Sequence, residues 1–276
     1  MNFYYILEYT FFNMFSKPNV TIIIPYKKNL KYLFSALKSV FNQTFKNYVI
    51  NIIYDNENKT DLYEIKKFLK KKNLKKKNSI KIQVNKKNIG AGYSRNKGIQ
   101  KSKTKYIAFL DSDDRWTKDK LKSQIYFMEK KKLSFSHTSY DIIDSKDKII
   151  SYRNARSMIT LDELIKSCDV GLSTVIIKTE FLKKNKYYFP GIKTKEDFVL
   201  WLKIAKNLKF LQGLKKKLTY YRKTSNSLSS NKFISLINGY KVYRNYMKYS
   251  KIKSIYFLII LSVNSFKKNI LKDKFN

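Results

Sequence analysis

The chain has 276 residues, 43% of them hydrophobic, and carries 59 Lys and Arg against 20 Asp and Glu, a formal net charge of +39. This length and apolar content allow a large buried core, which excludes an intrinsically disordered protein. A single cysteine, Cys168, excludes an internal disulfide, and with one histidine, His137, the chain lacks the ligands of a Cys/His metal site. Both residues are predicted to be structural.

The positive charge comes almost entirely from lysine. Arginine, which reads phosphate and base edges through bidentate contacts, is rare, so we predict no nucleic-acid partner. The favoured explanation is compositional bias of an A+T-rich genome, and an anionic lipid surface is the alternative. The lysine-rich stretch 66–78 is predicted to be a solvated helix and loop.

The N-terminus is aromatic and has no leading basic region, so it is a poor secretory signal. We predict that residues 1–19 form an N-terminal extension before the catalytic domain. Within it, the functional part is predicted to begin at Met14, with residues 1–13 either dispensable or a misassigned start. No apolar run reaches the roughly 20 residues that a membrane-spanning helix needs.

From Val20 onward, strand-like and helix-like segments alternate. In chain order, the predicted elements are a strand at 20–24, a helix at 30–41, a strand at 49–54, a helix from about 62, a strand at 80–84, a helix at 90–100 and a strand at 106–110. This alternation predicts an α/β fold with a mostly parallel central sheet and helices on both faces.

After Trp116 the alternation weakens. The predicted elements are a helix capped by Thr117 and running to about 132, a strand at 135–144, a capping box at 160–163, a strand at 174–177, and helices from 196 and from 231. In the helix that begins at 196, Phe198, Trp201, Leu202 and Ala205 share one face.

Three carboxylates lie in the stretch FLDSDDRW at 109–116. Asp111, Asp113 and Asp114 repel one another when ionised, and a bound cation would offset that repulsion. Ligands of open parallel sheets bind beyond the carboxyl ends of the strands, which predicts that these acids and Asp55 border a binding site.

The stretch NIGAGYSRNKGI at 88–99 places Gly90 and Arg95 at a predicted helix start. The third glycine of a dinucleotide-binding fingerprint is absent, which argues against a Rossmann dehydrogenase. A helix N-terminus with an arginine suits an anionic ligand, and a tight turn with a surface arginine is the alternative.

Five motifs occur in order: TIIIPY (21–26), IIYDN (52–56), GAGYSRNKGI (90–99), YIAFLDSDD (106–114) and EDFVLWL (196–202). Together they resemble the family 2 glycosyltransferases, which have the GT-A fold. The resemblance covers 20–230 as a catalytic domain and leaves 231–276 as a helical C-terminal extension.

The resemblance implies a nucleotide-sugar site. It places Asp55 on the base, with Asn56 where a second Asp is usual, and Pro25 and Tyr26 in the wall of the nucleotide pocket. Gly90 and Arg95 would contact the nucleotide-sugar.

The acidic motif is implied to complete that site. Asp111 would lie near the ribose and Asp113 would ligate Mg²⁺ or Mn²⁺, which prefer carboxylate and phosphate oxygens. In YYRKTSNSLS (220–229), Thr224 occupies the family's usual His position, so the roles of Arg222 and Ser225 stay open.

The resemblance places the general base in the acidic pair Glu196 and Asp197, and we choose Asp197. The alternative is that Asp197 only caps the helix, because Thr194 and the residues after it also fit a capping pattern.

We therefore predict a metal-dependent, inverting glycosyltransferase that moves a sugar from a nucleoside diphosphate sugar to a glycan or lipid-linked acceptor of the cell surface. The alternatives are a non-catalytic basic protein that binds a membrane or nucleic acid and has structural acids, and a family member that binds without turnover. We predict a cytoplasmic enzyme. If the apolar stretch 255–266 lies in the membrane surface, the enzyme is peripheral at the inner face of the plasma membrane. The alternative is that residues 255–266 pack back on the catalytic domain.

Overall fold

A computed structural model describes residues 19–71, 80–223 and 232–270. Predictions on Met14 and the preceding residues, on the lysines at 72–78, and on Thr224 and Ser225 lie outside the described residues.

The described chain alternates strands and helices as far as β4 and is less regular afterwards. The strands are β1 Val20–Tyr26, β2 Tyr48–Tyr54, β3 Ile80–Val84, β4 Tyr106–Phe109, β5 Arg115–Trp116, β6 Phe135–Ile143, β7 Ile149–Arg153, β8 Met158–Thr160, β9 Ile176–Lys178 and β10 Phe210–Arg222. The helices are α1 Leu30–Phe41, α2 Thr60–Lys71, α3 Ala91–Lys101, α4 Lys120–Lys130, α5 Leu161–Leu164, α6 Thr179–Lys184, α7 Glu196–Leu208, α8 Lys232–Lys241 and α9 Lys251–Ile270.

All these strands belong to one sheet, in the order β3-β2-β1-β4-β9-β6-β10-β5, with β7 paired to β6 and β8 to β10. From β3 to β4 the pairing is parallel, as the sequence predicts. Beyond β4 the sheet is mixed, because β9 runs antiparallel to both β4 and β6. The carboxyl ends of β1, β2, β3 and β4 therefore meet at one edge, as parallel strands require.

Helices cover both faces of the sheet. On one face α1, α2 and α4 bury residues such as Leu33, Ile65 and Ile125 against the strands. On the other face α3 and α7 bury Ile99 and Trp201 in a second core. Strands buried on both faces read as continuous apolar runs, which is why β1 and β4 could be predicted from sequence.

Two local predictions are wrong. Thr117 does not cap α4, because its hydroxyl has no hydrogen-bond partner and the residue before the helix is Asp119. The strand predicted from residue 174 begins at Ile176, because Leu172–Thr174 form a short 3₁₀ turn. The capping box at Thr160 and Glu163 is confirmed.

The C-terminal helices pack against the second core. Leu261 of α9 is buried there, and Tyr243 lies edge-on to Phe198 of α7 with ring centroids 6.5 Å apart. No helix within the described ranges is long and apolar enough to cross a membrane.

Candidate active site

Asp55 follows β2 and lies buried at the carboxyl edge of the sheet. Its two carboxylate oxygens accept the backbone N–H groups of Ile89 and Gly90, at 2.9 and 2.8 Å. Gly90 precedes α3 with φ +87°, a conformation that suits glycine. The predicted base-binding acid therefore also holds the loop that leads into α3.

Asn85 is a residue of this edge that the sequence reading missed. Its side-chain amide donates to Asp55 at 2.8 Å and to the Ser94 hydroxyl at 3.0 Å, and its oxygen accepts from Lys97 at 2.7 Å. The available signal was its position, because Asn85 directly follows β3 as Asp55 directly follows β2.

The remaining predicted nucleotide-pocket residues lie at the ends of β1 and β2. Pro25 is buried in β1, and the Tyr26 hydroxyl donates to Asp61 of α2 at 2.7 Å. The ring of Tyr26 packs against Tyr54 at 5.6 Å. Asn56 is half-buried and accepts the N–H of Asn58 at 3.2 Å. Carboxyl ends of neighbouring strands thus place Tyr26, Asp55 and Asn56 together.

The acidic motif forms a turn after β4 that is fixed by Ser173. The Ser173 hydroxyl accepts the N–H of Asp111 at 3.0 Å and donates to Asp114 at 2.6 Å. Asp114 is 1% exposed and also accepts the N–H of Arg222 at 2.8 Å. Burial and the neighbouring charge of Asp113 raise the pKa of Asp114. These contacts make Asp114 a support of the turn.

Ser173 directly precedes the strand predicted at 174–177, and the sequence analysis assigned it no contact with the two acids. Asp113 differs from Asp114 because its main-chain oxygen, rather than its carboxylate, accepts from Arg222 at 2.9 Å. Burial and the charge of Asp111 raise the pKa of Asp113 to about 6. A divalent cation would relieve both effects, so the chemistry of Asp113 fits a metal ligand.

Arg95 does not present its guanidinium to solvent. It is 4% exposed and bridges two acids, with Nη2 2.6 Å from Asp111 and Nη1 2.9 Å from Glu196. Its guanidinium also lies 5.3 Å from the ring centroid of Phe189. The alternative of a surface arginine is wrong, and Arg95 ties the acidic turn after β4 to the start of α7.

Gly92 permits this arrangement. A Cβ at position 92 would lie 3.3 Å from the Glu196 side chain and 3.4 Å from that of Phe189. The close approach that this glycine allows is therefore between α3 and the segment leading to α7.

Asp197 is the second acid of α7. Its Oδ1 accepts the N–H of Phe198 at 2.7 Å, and burial together with the charge of Glu196 raises its pKa to about 7. Thr194 does not cap the helix, because the residue before it is Lys195, whose side chain makes no cap hydrogen bond. The bond from the Phe198 N–H is a first-turn amide contact of Asp197, so the alternative of a capping role stays open. Lys195 has φ +65°, in the left-handed region.

The C-terminal helices contact the segment before α7 and the loop at Lys166–Asp169. Asn238 of α8 donates to the Thr194 hydroxyl at 2.9 Å, two residues before α7 begins. In α9, Lys268 pairs with Asp169, and Asn264 donates to the Lys166 oxygen at 2.9 Å. The helices after the boundary predicted near residue 231 therefore contact the segment that leads into α7 and the loop at Lys166–Asp169.

Within the described part of the chain, no three His, Cys, Asp or Glu side chains cluster as a ready-made metal site. Arg95 already pairs with Asp111, which leaves Asp113 as the candidate protein ligand. A metal held by one carboxylate needs further oxygen ligands, and a substrate diphosphate can supply them.

The sheet edge, the acidic turn and the α7 acids bring together the residues that the resemblance to glycosyltransferases selects. Residues 21–189 match the family Glycosyl transferase family 2, and the chain belongs to that family. It is a glycosyltransferase with the GT-A fold. The predicted alternative, a basic binding protein with structural acids, has no support in these comparisons.

Two curated bacterial proteins are similar over most of the chain. One is TuaG of Bacillus subtilis (strain 168), a glycosyltransferase provisionally assigned to teichuronic acid biosynthesis, which is 30% identical over 92% of this chain and 98% of its own. The other is the UDP-Glc:alpha-D-GlcNAc-diphosphoundecaprenol beta-1,3-glucosyltransferase WfgD of Escherichia coli, 31% identical over 91% of this chain and 94% of its own.

Two solved structures share the fold. TarS of S. aureus, residues 1–349 in complex with UDP-GlcNAc, superposes with a TM-score of 0.64 at 22% identity, covering 87% of this chain and 70% of that one. GalNAc-T7 with UDP, GalNAc and Mn²⁺ superposes with a TM-score of 0.62 at 16% identity, covering 83% of this chain and 48% of that one.

Proposed function

We propose that this enzyme transfers a sugar, with inversion, from a UDP-sugar to a hydroxyl of a lipid-linked glycan at the cytoplasmic face of the plasma membrane. The relative WfgD is named for a UDP-glucose donor and a diphosphoundecaprenol-linked acceptor, and the TarS structure contains UDP-GlcNAc. The observation that carries the proposal is the bridge made by Arg95, whose guanidinium binds Asp111 and Glu196 and so joins the acidic turn that contains Asp113 to the start of the helix that contains Asp197.

We assign the donor to the edge formed by β1, β2 and β4. Tyr26, Asp55 and Asn56 would surround the base, and Asp111 would face the ribose. Asp113 would hold Mg²⁺ or Mn²⁺, which when bound neutralises charge on the departing diphosphate. The GalNAc-T7 structure pairs Mn²⁺ with UDP in the same fold, which supports this choice of ion.

We assign the acceptor to the side of Asp197. Its carboxylate takes the proton of the acceptor hydroxyl, the oxygen attacks the anomeric carbon, and the bond from that carbon to the diphosphate oxygen breaks. A carboxyl group with a pKa of about 7 is suited to this work near neutral pH, where it is partly ionised and sufficiently basic. Attack from the face opposite the leaving group inverts the anomeric centre.

The direct test is a screen of radiolabelled UDP-sugars with Mn²⁺, measuring both hydrolysis and transfer to a synthetic GlcNAc-diphosphate-lipid. The proposal predicts that at least one UDP-sugar is consumed and that chelation stops its consumption. Absence of UDP-sugar turnover, with UDP bound normally, would identify a binding protein without catalysis.

A further inference from the structure

Helix α9, Lys251–Ile270, has an inner face that is fixed to the protein. Leu261 is buried in the core, and the Phe257 ring stacks on Tyr243 with centroids 5.7 Å apart. Near the end of the helix, Asn264 and Lys268 bind the loop at Lys166–Asp169. The helix is therefore a fixed part of the fold.

The outer face of α9 is apolar although it is exposed. Ile252 is 83% exposed, Ile259 57% and Phe266 66%. At 100° per residue, the large exposed residues fall within a stripe about 100° wide that runs for about 21 Å along the helix. The members of this outer stripe are Ile252, Ile255, Tyr256, Ile259, Val263 and Phe266.

Soluble surfaces seldom expose this much contiguous apolar area without a partner. The adjoining helix α8 adds Phe233, 72% exposed, together with Leu236 and Ile237. The two helices pack closely, because a Cβ at Gly239 would lie 2.7 Å from Leu258 of α9. Exposed apolar side chains are thus present on both of these packed helices.

The charges around this surface decide what it fits. Residues 232–270 contain eight Lys and Arg and no Asp or Glu. Lys251 and Lys253 flank the start of the outer stripe, and Lys267 follows its end. An apolar stripe on a segment whose charged residues are all basic matches a bilayer with anionic headgroups.

We propose that the outer stripe of α9 lies in the surface of an anionic lipid bilayer, parallel to its plane. The helix contacts the membrane with one face while its other face stays packed on the catalytic core. Membrane contact through this stripe would bring the enzyme to a lipid-linked acceptor, and in that respect the inference rests on the proposed function. Vesicle binding is measured without sugar or nucleotide, so the two proposals can fail separately.

The test is sedimentation of the intact chain with vesicles of phosphatidylcholine alone and of phosphatidylcholine mixed with phosphatidylglycerol. The chain should bind the anionic vesicles, and the double variant Ile255→Glu/Ile259→Glu should bind them at least about tenfold more weakly, since it places two charges in the apolar stripe. The matched control is Tyr63→Glu, on an exposed position of α2 over the opposite face of the sheet, which should bind as the parent does.

A second variant, Lys253→Glu/Lys267→Glu, keeps the apolar stripe and reverses two of its flanking charges. It should lose binding to anionic vesicles and serves if the first variant unfolds, which circular dichroism would reveal. The proposal is wrong if the parent ignores anionic vesicles, or if both folded variants bind as the parent does. It is also wrong if light scattering shows a dimer that Ile255→Glu/Ile259→Glu dissociates while vesicles bind neither form, because the stripe would then join two copies.

Discussion

The acidic turn after β4 and the start of α7 are built alike on opposite sides of Arg95. In the turn, Asp111 binds the guanidinium, and in the helix Glu196 does so. Their neighbours Asp113 and Asp197 do not share these contacts, and both have raised pKa values, about 6 and about 7. The buried guanidinium of Arg95 therefore fixes two carboxylates and leaves two others, Asp113 and Asp197, which we propose as a metal ligand and a general base.

The largest effect is expected at Arg95. Replacing Arg95 by Met leaves Asp111 and Glu196 close together without their shared cation, and we expect a loss of about 3 kcal/mol in the free energy of unfolding. Urea denaturation measures this loss. The control is Arg156→Met, because Arg156 pairs with Glu163 at 3.1 Å on the surface and should cost less than about 1 kcal/mol. Equal costs at both positions would show that the bridge is not structural.

The next largest effect is on rate. Asp197→Asn should lower sugar transfer by about a hundredfold or more, because the amide cannot accept the acceptor proton. UDP affinity should stay at the parental value. Glu196→Gln should instead mainly lower stability, because it weakens the contact with Arg95. Transfer by Asp197→Asn within a few-fold of the parent would remove Asp197 from the mechanism.

The pH dependence sharpens this assignment. Since the pKa of Asp197 is raised to about 7, the active ionised form is lost as pH falls through that value. The rate should therefore drop about tenfold per pH unit below about pH 7. Any residual rate of Asp197→Asn should not fall with pH in this way. If the variant keeps the same fall in rate below about pH 7, another group is responsible for the pH dependence.

The smallest effect concerns the acidic turn, where substitutions at Asp113 and Asp111 should change the free energy of unfolding in opposite directions. Because the pKa of Asp113 is raised, ionising it destabilises the folded state as pH rises through about 6. Asp113→Asn should then be more stable than the parent by about 1–2 kcal/mol at about pH 8 without metal, and the gain should vanish near about pH 4. Asp111→Asn should be less stable, because it weakens the pairing of Arg95. Thermal unfolding at both pH values gives the comparison, and equal signs would contradict it.

The first half of the fold could be predicted because local pattern and final environment agree there. Strands β1 and β4 are buried on both faces and read as apolar runs, and β3 was predicted with the bounds it has, Ile80–Val84. In the second half, β10 carries three consecutive exposed lysines, Lys215–Lys217, so its sequence lacks an apolar run. Its long parallel pairing with β6 depends on contacts far apart in sequence.

The sequence selected residues that gather at one edge of the sheet, but not the contacts between them. Position after a strand was enough to select Asp55 and Asp111, and applied to β3 it would also have selected Asn85. Sequence gave no indication that Arg95 would bind two acids 16 and 101 residues away, because that bridge exists only after α3 and α7 pack together. For the same reason Ser173 could not be assigned to the acidic turn.

The central claim is that the acidic turn serves the donor and that the acids of α7 serve the acceptor. The most direct test is calorimetric titration of UDP with and without Mn²⁺, on the parent, Asp113→Asn and Asp197→Asn. The account predicts that Mn²⁺ tightens UDP binding by the parent and by Asp197→Asn, at least about tenfold if the ion bridges carboxylate and diphosphate, and has no such effect on Asp113→Asn. Tightening by Mn²⁺ that is undiminished in Asp113→Asn, or lost in Asp197→Asn, would contradict the assignment of one pair to the donor and the other to the acceptor.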